Sequence, residues 1–235
     1  RASDQRLVLL SPADHHVADA DAFRRAVLAG APAAAKGAIV TFGIKPAEPH
    51  TGFGYIETGA GIDPLVFEVA AFREKPDVGT AERYVAGGRH FWNAGVFLFS
   101  PAAMDAELHA LAPAIRNHAA KALAAAAQTG AIITLDPAIF AECPSDSIDY
   151  AVMEKTRRAA VVAPVDAGWS DIGSWTALDA LPADARVVSH DCGINVIRSD
   201  GPLIAAIGVS DLIIVATGDA VLIAAALGFR EFRDI

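Results

Sequence analysis

Residues 6–44 read RLVLLSPADHHVADADAFRRAVLAGAPAAAKGAIVTFGI, and their pattern predicts an α/β fold. The apolar run Leu7–Leu10 is typical of a buried strand. A helix is predicted after it, with Asp19 as its N-cap and Gly30 as its stop. A second buried strand is predicted at Gly37–Ile44. This strand–helix–strand order favours a right-handed crossover between parallel strands of one sheet.

The middle of the chain continues to alternate between strand-like and helix-like segments. An Ala-rich helical region is predicted over roughly residues 101–129, and Ser147 is a candidate cap for a further helix. The other segments are strands that begin at Tyr55–Ile56, in VFEVAAFREKPD (66–77) and in FWNAGVFLFSP (91–101), and helices in ERYVAGG (82–88) and SIDYAVMEK (147–155).

The pattern changes near the C-terminal end, where short Ile/Val-rich runs follow one another from Val187 onward. Asp200–Gly201 is a hairpin turn signal, and Thr217–Asp219 marks another reversal. We therefore predict a core domain over residues 1–184 and a small β-rich, β-helix-like appendage over residues 185–235.

Composition and charge exclude several classes of protein. The chain has 235 residues, 53% of them hydrophobic, and a formal net charge of −9 at pH 7. The hydrophobic fraction predicts a buried core. The negative charge argues against a general nucleic-acid binder, which would carry a basic face. No apolar run reaches the roughly 18 residues of a membrane span, and no signal-peptide pattern opens the chain. Cys143 and Cys192 form neither a disulfide framework nor a metal-binding spacing, which suits a reducing compartment. Taken together, these features predict a cytoplasmic protein without a membrane or nucleic-acid partner.

Two carboxylates far apart in the sequence are candidate metal ligands. Asp14 follows the first predicted strand, where open α/β sheets bind their ligands. Asp171 lies in GWSDIGSW (168–175), between two of the three tryptophans of the chain. Two such carboxylates suit Mg²⁺, which also takes substrate phosphate oxygens and waters. The alternative is that each aspartate only caps a turn; the neighbouring His15 and His16 are interpreted as turn residues.

A second set of polar residues and glycines lies between the two aspartates. Gly54 in TGFGYI would let backbone approach a ligand closely, although the pattern taken alone favours a plain hairpin turn. Glu74 can accept hydrogen bonds from sugar hydroxyls, while Lys75 can contact a phosphate as a point charge. Without further context, the same pair is a solvated charge cluster. Asn93 is an amide in an apolar strand, so it either braces a loop or contacts a polar ligand.

The order of these motifs resembles that of the bacterial mannose-1-phosphate guanylyltransferases, which belong to the nucleotide-sugar transferase superfamily. The resemblance extends from about Leu7 to about Ala224. It implies a Rossmann-like nucleotidyltransferase core with a mixed central sheet, a small C-terminal β tail and a homodimer. The motifs that carry it are LLSPADHHVADADAFRRAV (9–27), FGIKPAEPHTGFGYIE (42–57), FREKPD (72–77), FWNAGVFLF (91–99), SIDYAVMEK (147–155) and GWSDIGSW (168–175).

The resemblance also implies a reaction and its cofactor. The substrates would be GTP and mannose 1-phosphate, and the products GDP-mannose and pyrophosphate. Asp14 and Asp171 would be the ligands of Mg²⁺, and Lys75 would act on the sugar phosphate as a catalytic residue. The tryptophans would then hold a metal-binding carboxylate in place.

The sugar-binding residues follow from the same resemblance. Gly54 would lie against the sugar through its backbone, and Glu74 would accept hydrogen bonds from mannose hydroxyls. Asn93 and Asp149 would line the sugar pocket.

One signature of the family has no counterpart here. The family opens with a glycine-rich segment of the type GGxGTRLWPLSR, which cradles the nucleotide phosphates and begins the guanine pocket. We expect that this segment and several connecting loops are missing from the sequence, as is the isomerase domain of bifunctional relatives. Two alternatives stay open: a pyrophosphorylase for another nucleoside diphosphate hexose, and a non-catalytic module that binds sugar phosphates or nucleotide sugars.

Overall fold

The computed structural model describes residues 6–173 and 186–225 of the chain. They form two compact units. The first comprises the described residues up to Pro12 together with Asp19–Ala167, and the second comprises Ala13–Ala18 together with the described residues from Gly168 onward. Among the described residues, no helix combines the length and the apolar composition needed to cross a membrane.

The first unit is built around a six-stranded mixed sheet with helices between the strands. Its sheet strands are β1 (Val8–Leu10), β3 (Ile39–Ile44), β4 (Tyr55–Asp63), β5 (Val66–Arg73), β6 (His90–Phe99) and β9 (Ala159–Val162). Its helices are α1 (Ala20–Ala35), α2 (Val78–Gly87), α3 (Pro101–Leu111), α4 (Pro113–Ala124), α5 (Pro137–Ala141) and a π-helical turn (Asp149–Met153), and a short hairpin pairs β7 (Ala127–Thr129) with β8 (Ile132–Thr134).

The sheet order is β1-β6-β3-β9-β5-β4, and β6 also pairs with β4. β1 and β3 each pair antiparallel with β6. They are therefore parallel to each other, as the crossover pattern predicts, with β6 between them. The prediction that the first strand is buried is wrong, because Val8, Leu9 and Leu10 are 39%, 42% and 46% exposed. β1 is the outermost strand of this order, and within residues 6–173 and 186–225 it pairs with β6 alone.

Helix α1 packs on the sheet and contacts β3, β6 and β9. Asp19 caps it as predicted, since its Oδ1 accepts a hydrogen bond from the Ala22 N–H at 2.8 Å. The prediction that Gly30 ends the helix is wrong, because α1 continues to Ala35. A Cβ at position 30 would lie 2.9 Å from a methyl carbon of Val40. This glycine therefore serves the packing of helix on sheet rather than helix termination.

The predicted Ala-rich helical region is interrupted. α3 ends at Leu111, and Pro113 begins α4 after the single residue Ala112. Proline is favoured in a first helical turn, whereas in an interior it removes a backbone hydrogen bond. The predicted helix in SIDYAVMEK is the π-helical turn at Asp149–Met153, and Ser147 Oγ accepts from the Tyr150 N–H at 3.4 Å.

The second unit consists of short strands. β2 (His16–Val17) pairs antiparallel with β10 (Trp169–Ser170). The remaining strands form two small sheets with parallel pairings between β11 and β13 and between β12 and β14. These strands are β11 (Val187–His190), β12 (Asn195–Ser199), β13 (Ile204–Ile207), β14 (Leu212–Ala216) and β15 (Val221–Ala225).

The two predicted turns of this unit have different outcomes. The reversal at Thr217–Asp219 is confirmed, since β14 and β15 pair antiparallel. The hairpin at Asp200–Gly201 is wrong: the chain turns there, but β12 pairs with β14 and β13 pairs with β11. Strands that pair with the next-but-one strand in parallel are typical of a β-helix.

Candidate functional site

Four of the predicted residues come together in the first unit: Gly54, Glu74, Asn93 and Asp149. The Gly54 carbonyl accepts a hydrogen bond from the Asn93 N–H at 2.8 Å. Asn93 Nδ2 in turn donates to Asp149 Oδ1 at 3.0 Å. A Cβ on Gly54 would collide with Glu74 Oε2. These contacts form one cluster, which we call the Asn93 cluster.

The sheet pairing explains why the residues of the Asn93 cluster meet. Tyr55, the first residue of β4, lies opposite Arg73 on β5 and opposite Trp92 on β6. Gly54, directly before it, therefore lies beside both Glu74 and Asn93. Asp149 reaches the same place from the π-helical turn, a helix type that occurs often at functional sites.

Glu74 carries the unusual chemistry of the Asn93 cluster. Its Oε2 is buried and has no hydrogen-bond partner among the described residues. Burial raises the pKa of Glu74 to about 7, and the nearby charge of Asp149 adds to this rise. Lys75 opposes the shift, and Glu154 contributes to it. A buried carboxylate oxygen without a donor is costly unless a ligand supplies one.

Asp149 has a more satisfied environment than Glu74. Burial raises the pKa of Asp149 above its ordinary value. Hydrogen bonds from its own backbone N–H, from Asn93 and from Ser147 act in the opposite direction, as does the charge of Lys75. Asp149 is therefore braced by protein donors, whereas Glu74 Oε2 is not.

Lys75 is exposed and has a left-handed backbone conformation, with φ at 46°. Such a conformation is uncommon for a residue other than glycine, and the proline that follows disfavours helical conformations further. Its charge lowers the pKa of Glu74 and of Asp149, so the ammonium group lies within electrostatic reach of the Asn93 cluster. Strained residues of this kind concentrate at ligand sites.

Three further residues brace the Asn93 cluster and were not predicted. Glu154 Oε1 accepts from the Glu74 N–H at 3.0 Å and so holds the backbone at the end of β5. Thr41 Oγ1 donates to Asn93 Oδ1 at 2.8 Å, and the Gly95 N–H donates to the same oxygen at 3.2 Å. The available sequence signal was a lone hydroxyl in the apolar strand IVTFGI (39–44).

The other two predicted residues, Asp14 and Asp171, lie in the second unit. His16 on β2 pairs with Ser170 on β10 in an antiparallel ladder. Asp14 precedes His16 and Asp171 follows Ser170, so both carboxylates leave the same end of the ladder. Burial lowers the pKa of His15, while the charges of Asp14 and Asp171 both raise it. Both carboxylates therefore lie near the same imidazole.

The turn after β10 holds Asp171 in a defined conformation. Its Oδ1 accepts from the Gly173 N–H at 3.2 Å, and Ser170 Oγ accepts from the Ile172 N–H at 3.2 Å. Ile172 has φ at 49°, which is a strained conformation for a β-branched residue. Gly168 has φ at +59°, and a Cβ there would lie 2.7 Å from the Cβ of Ala18. Only glycine fits this start of the turn.

The tryptophans do not frame Asp171 in the simple way that the sequence suggests. Trp169 Nε1 donates to His15 Nδ1 at 3.2 Å, and the two rings meet edge to face with centroids 5.3 Å apart. Trp169 therefore fixes the imidazole that lies beside the two carboxylates. Trp175, the other tryptophan of the motif, lies outside the described residues.

The two aspartates fit a magnesium ion that also binds substrate oxygens. In residues 6–173 and 186–225, no three His, Cys, Asp or Glu side chains form a group that could hold a metal by themselves. Magnesium characteristically takes one or two carboxylates, with phosphate oxygens and waters completing its shell. A pair of carboxylates on one turn-shaped edge is compatible with that donor set.

The folds of both units agree with the comparisons to known proteins. A family profile described as Nucleotidyl transferase matches residues 1–186. The chain belongs to this family. A second profile, described as MannoseP isomerase/GMP-like beta-helix domain, matches residues 185–227 of this nucleotidyl transferase. The predicted fold class, a mixed α/β core followed by a β appendage, is confirmed.

Two curated proteins are similar to nearly the whole of this chain. A mannose-1-phosphate guanylyltransferase of Escherichia coli (strain K12) is 44% identical over an alignment of 241 positions, which covers 97% of this chain and 50% of the relative. The xanthan biosynthesis protein XanB of Xanthomonas campestris pv. campestris (strain B100) is 43% identical over the same shares, 97% and 50%. This nucleotidyl transferase chain therefore spans about half the length of the curated relatives it matches.

A solved structure shows the same similarity in three dimensions. It is described as a mannose-1-phosphate geranyltransferase from Thermus thermophilus. The TM-score is 0.77 and the sequence identity is 32%, over 93% of this nucleotidyl transferase chain and 65% of that chain.

Proposed function

We propose that this chain is the sugar-phosphate-binding part of a mannose-1-phosphate guanylyltransferase, which makes GDP-mannose and pyrophosphate from GTP and mannose 1-phosphate. Support comes from the family of the chain and from relatives that carry this name at 42–44% identity. The observation that carries the proposal is the buried Oε2 of Glu74, which has no donor among the described residues. A sugar hydroxyl is a donor of the right size and polarity for that oxygen.

The Asn93 cluster offers complementary groups for a hexose phosphate. Both acceptor positions of Asn93 Oδ1 are occupied, and one N–H of Nδ2 is directed to Asp149. Its second N–H remains for a hydroxyl oxygen, while Glu74 accepts from a hydroxyl group. Gly54 leaves room beside Glu74 because it has no side chain. Lys75 would meet the sugar phosphate as a point charge.

In the proposed reaction, a phosphate oxygen of mannose 1-phosphate attacks the α-phosphorus of GTP. A new P–O bond forms, the bond to the β-phosphate oxygen breaks, and pyrophosphate leaves with the electron pair. No covalent enzyme intermediate is required. Lys75 would hold the attacking phosphate in place and offset its charge.

Asp14 and Asp171 would hold Mg²⁺ in this proposal. The bound ion would neutralise charge on phosphate oxygens and help to orient them. The turn that fixes Asp171, and Trp169 through its bond to His15, would keep the two carboxylates in place without the substrate.

A cytoplasmic homodimer completes the proposal. Light scattering would test the dimer by measuring twice the 24.4 kDa mass of the chain.

The direct test is pyrophosphate release from GTP and mannose 1-phosphate in the presence of Mg²⁺, with EDTA as the control. We expect release that requires the sugar phosphate and the metal. Competition among nucleoside triphosphates and among hexose 1-phosphates would establish the specificity. Release with another pair only would replace the proposed substrates. No release with any pair, from a protein that includes the glycine-rich nucleotide segment, would favour a non-catalytic binding module.

A further inference from the structure

Thr41 has a role that its strand does not explain. It is fully buried in β3, among Ile39, Val40 and Phe42, which are also fully buried. A valine would suit such a position better, because burying a hydroxyl is unfavourable unless it is hydrogen-bonded. The hydroxyl bonds to Asn93 Oδ1 at 2.8 Å. The polar side chain is therefore directed at the Asn93 cluster rather than at the core.

An irregularity in the sheet makes this contact possible. Gly43 lies opposite Asn93, whereas Thr41 lies opposite Phe97. β6 therefore has three residues between Asn93 and Phe97 where β3 has only Phe42 between the partners, which is a bulge. Gly95 lies within the bulge with φ at 67°, and its N–H donates to Asn93 Oδ1 at 3.2 Å. The bulge thus directs two donors to one amide oxygen.

The two donors determine what Asn93 can present to a ligand. An amide oxygen has two lone pairs, and Thr41 and Gly95 occupy both. Only the Nδ2 group remains, with one N–H bonded to Asp149 Oδ1 at 3.0 Å. Hydrogen bonds in such a chain also polarise one another, so the amide becomes a better donor.

We propose that Thr41 is a positioning residue for sugar recognition: its hydroxyl, together with the Gly95 N–H, saturates Asn93 Oδ1 and makes the amide a pure donor towards Asp149 and a sugar hydroxyl. Thr41 acts through Asn93 and does not itself touch the sugar. This inference rests on the proposed function of the Asn93 cluster. It adds a residue that determines how a hydroxyl oxygen, rather than a hydroxyl hydrogen, is recognised at this point.

The test is Thr41→Val, which keeps the shape of the side chain and removes the hydroxyl. The sugar hydroxyl is held both before and during the reaction, so a weaker contact from a less well positioned Asn93 amide reduces binding without slowing the chemistry. We expect the KM and the calorimetric Kd for mannose 1-phosphate to rise roughly fivefold to tenfold, the effect of about one hydrogen bond. The KM for GTP and kcat should stay within about twofold of wild type.

Two further variants separate positioning from a general loss of structure. Thr41→Ser restores a hydroxyl and should return the sugar-phosphate KM to within about twofold of wild type. Thr58→Val removes a hydroxyl from the same sheet, one that donates to the Arg89 carbonyl at 3.3 Å, and should leave the sugar-phosphate KM unchanged. A general structural defect would change both KM values and kcat together.

The outcomes distinguish this inference from the proposed function. If the wild-type protein responds to mannose 1-phosphate and Thr41→Val has the same sugar-phosphate KM, the positioning role is refuted and the proposed function stands. The positioning role is refuted in the same way if Thr41→Ser fails to restore the KM. If the wild-type protein neither binds a hexose phosphate nor releases pyrophosphate, the proposed function and this inference both fail.

Discussion

Replacing Glu74 with glutamine should make the protein more stable than wild type at alkaline pH. At acidic pH this difference in stability should disappear. Burial and the charge of Asp149 raise the pKa of Glu74 from 4.5 to about 7 in the folded protein. Because the folded-state pKa is above the unfolded value, the folded state loses stability as pH rises between these two values. Below about pH 4.5 both states keep the proton, so ionisation contributes no difference there.

The size of the effect follows from the shift. A rise from 4.5 to about 7 corresponds to roughly 3 kcal/mol, at about 1.4 kcal/mol per pH unit. Glu74 is only partly buried, and solvent screening reduces the effect to about 1–2 kcal/mol. The free energy of unfolding of Glu74→Gln, relative to wild type, should therefore increase by about 1–2 kcal/mol between pH 5 and pH 8.

Urea unfolding of both proteins at pH 5, 6, 7 and 8 measures this difference. Glu82→Gln, an exposed position on α2, is the matched control because it removes the same charge. Its difference from wild type should not change with pH in this way. A Glu74→Gln difference that is flat from pH 5 to pH 8, or that decreases, would refute the argument that Glu74 is a buried carboxyl without a donor.

Three other predictions concern the two site regions. Gly54→Ala places a Cβ against Glu74 Oε2, so it should weaken mannose 1-phosphate binding, measured by calorimetry, about tenfold or more. Gly61→Ala is the control: a Cβ there has no atom within 4 Å, so binding should not change. Asp171→Asn should reduce pyrophosphate release by roughly a hundredfold or more with an unchanged circular dichroism spectrum; turnover like that of wild type would remove Asp171 from the metal site. Gly168→Ala forces a Cβ to within 2.7 Å of the Ala18 Cβ at a residue with φ at +59°. The free energy of unfolding should therefore fall by about 1–3 kcal/mol. An unchanged denaturation midpoint would contradict the turn geometry.

Local signals in the sequence predicted local structure well and packing poorly. Asp19 caps α1 because its side chain bonds a backbone N–H three residues away, and such a contact depends only on neighbouring residues. Gly30 gives the same local signal as a helix stop, but its purpose is the close approach of Val40 on the sheet. At Asp200–Gly201 the turn was predictable, whereas the parallel partner of β12 lies two strands further along the chain.

In the candidate site, too, the sequence indicated the chemistry of single residues but not which residues meet. The chemistry of Glu74 and Asn93 suggested ligand contacts, but their proximity to Asp149 came from the family resemblance and not from spacing. Thr41 was missed because a threonine in a strand is ordinary, and only the β6 bulge reveals its partner. The hydrogen bond between Asn93 and Asp149 depends on the packing of the π-helical turn against β6, which no local sequence pattern records.

The Asn93 cluster is proposed to bind a hexose 1-phosphate through the buried Oε2 of Glu74. Isothermal titration of the protein with mannose 1-phosphate tests it most directly, with Glu74→Ala as the variant and Glu82→Ala as the matched control. We expect saturable binding by the wild-type protein and the control, and a loss of binding in Glu74→Ala. Absence of binding by the wild-type protein, or undiminished binding by Glu74→Ala, would contradict it.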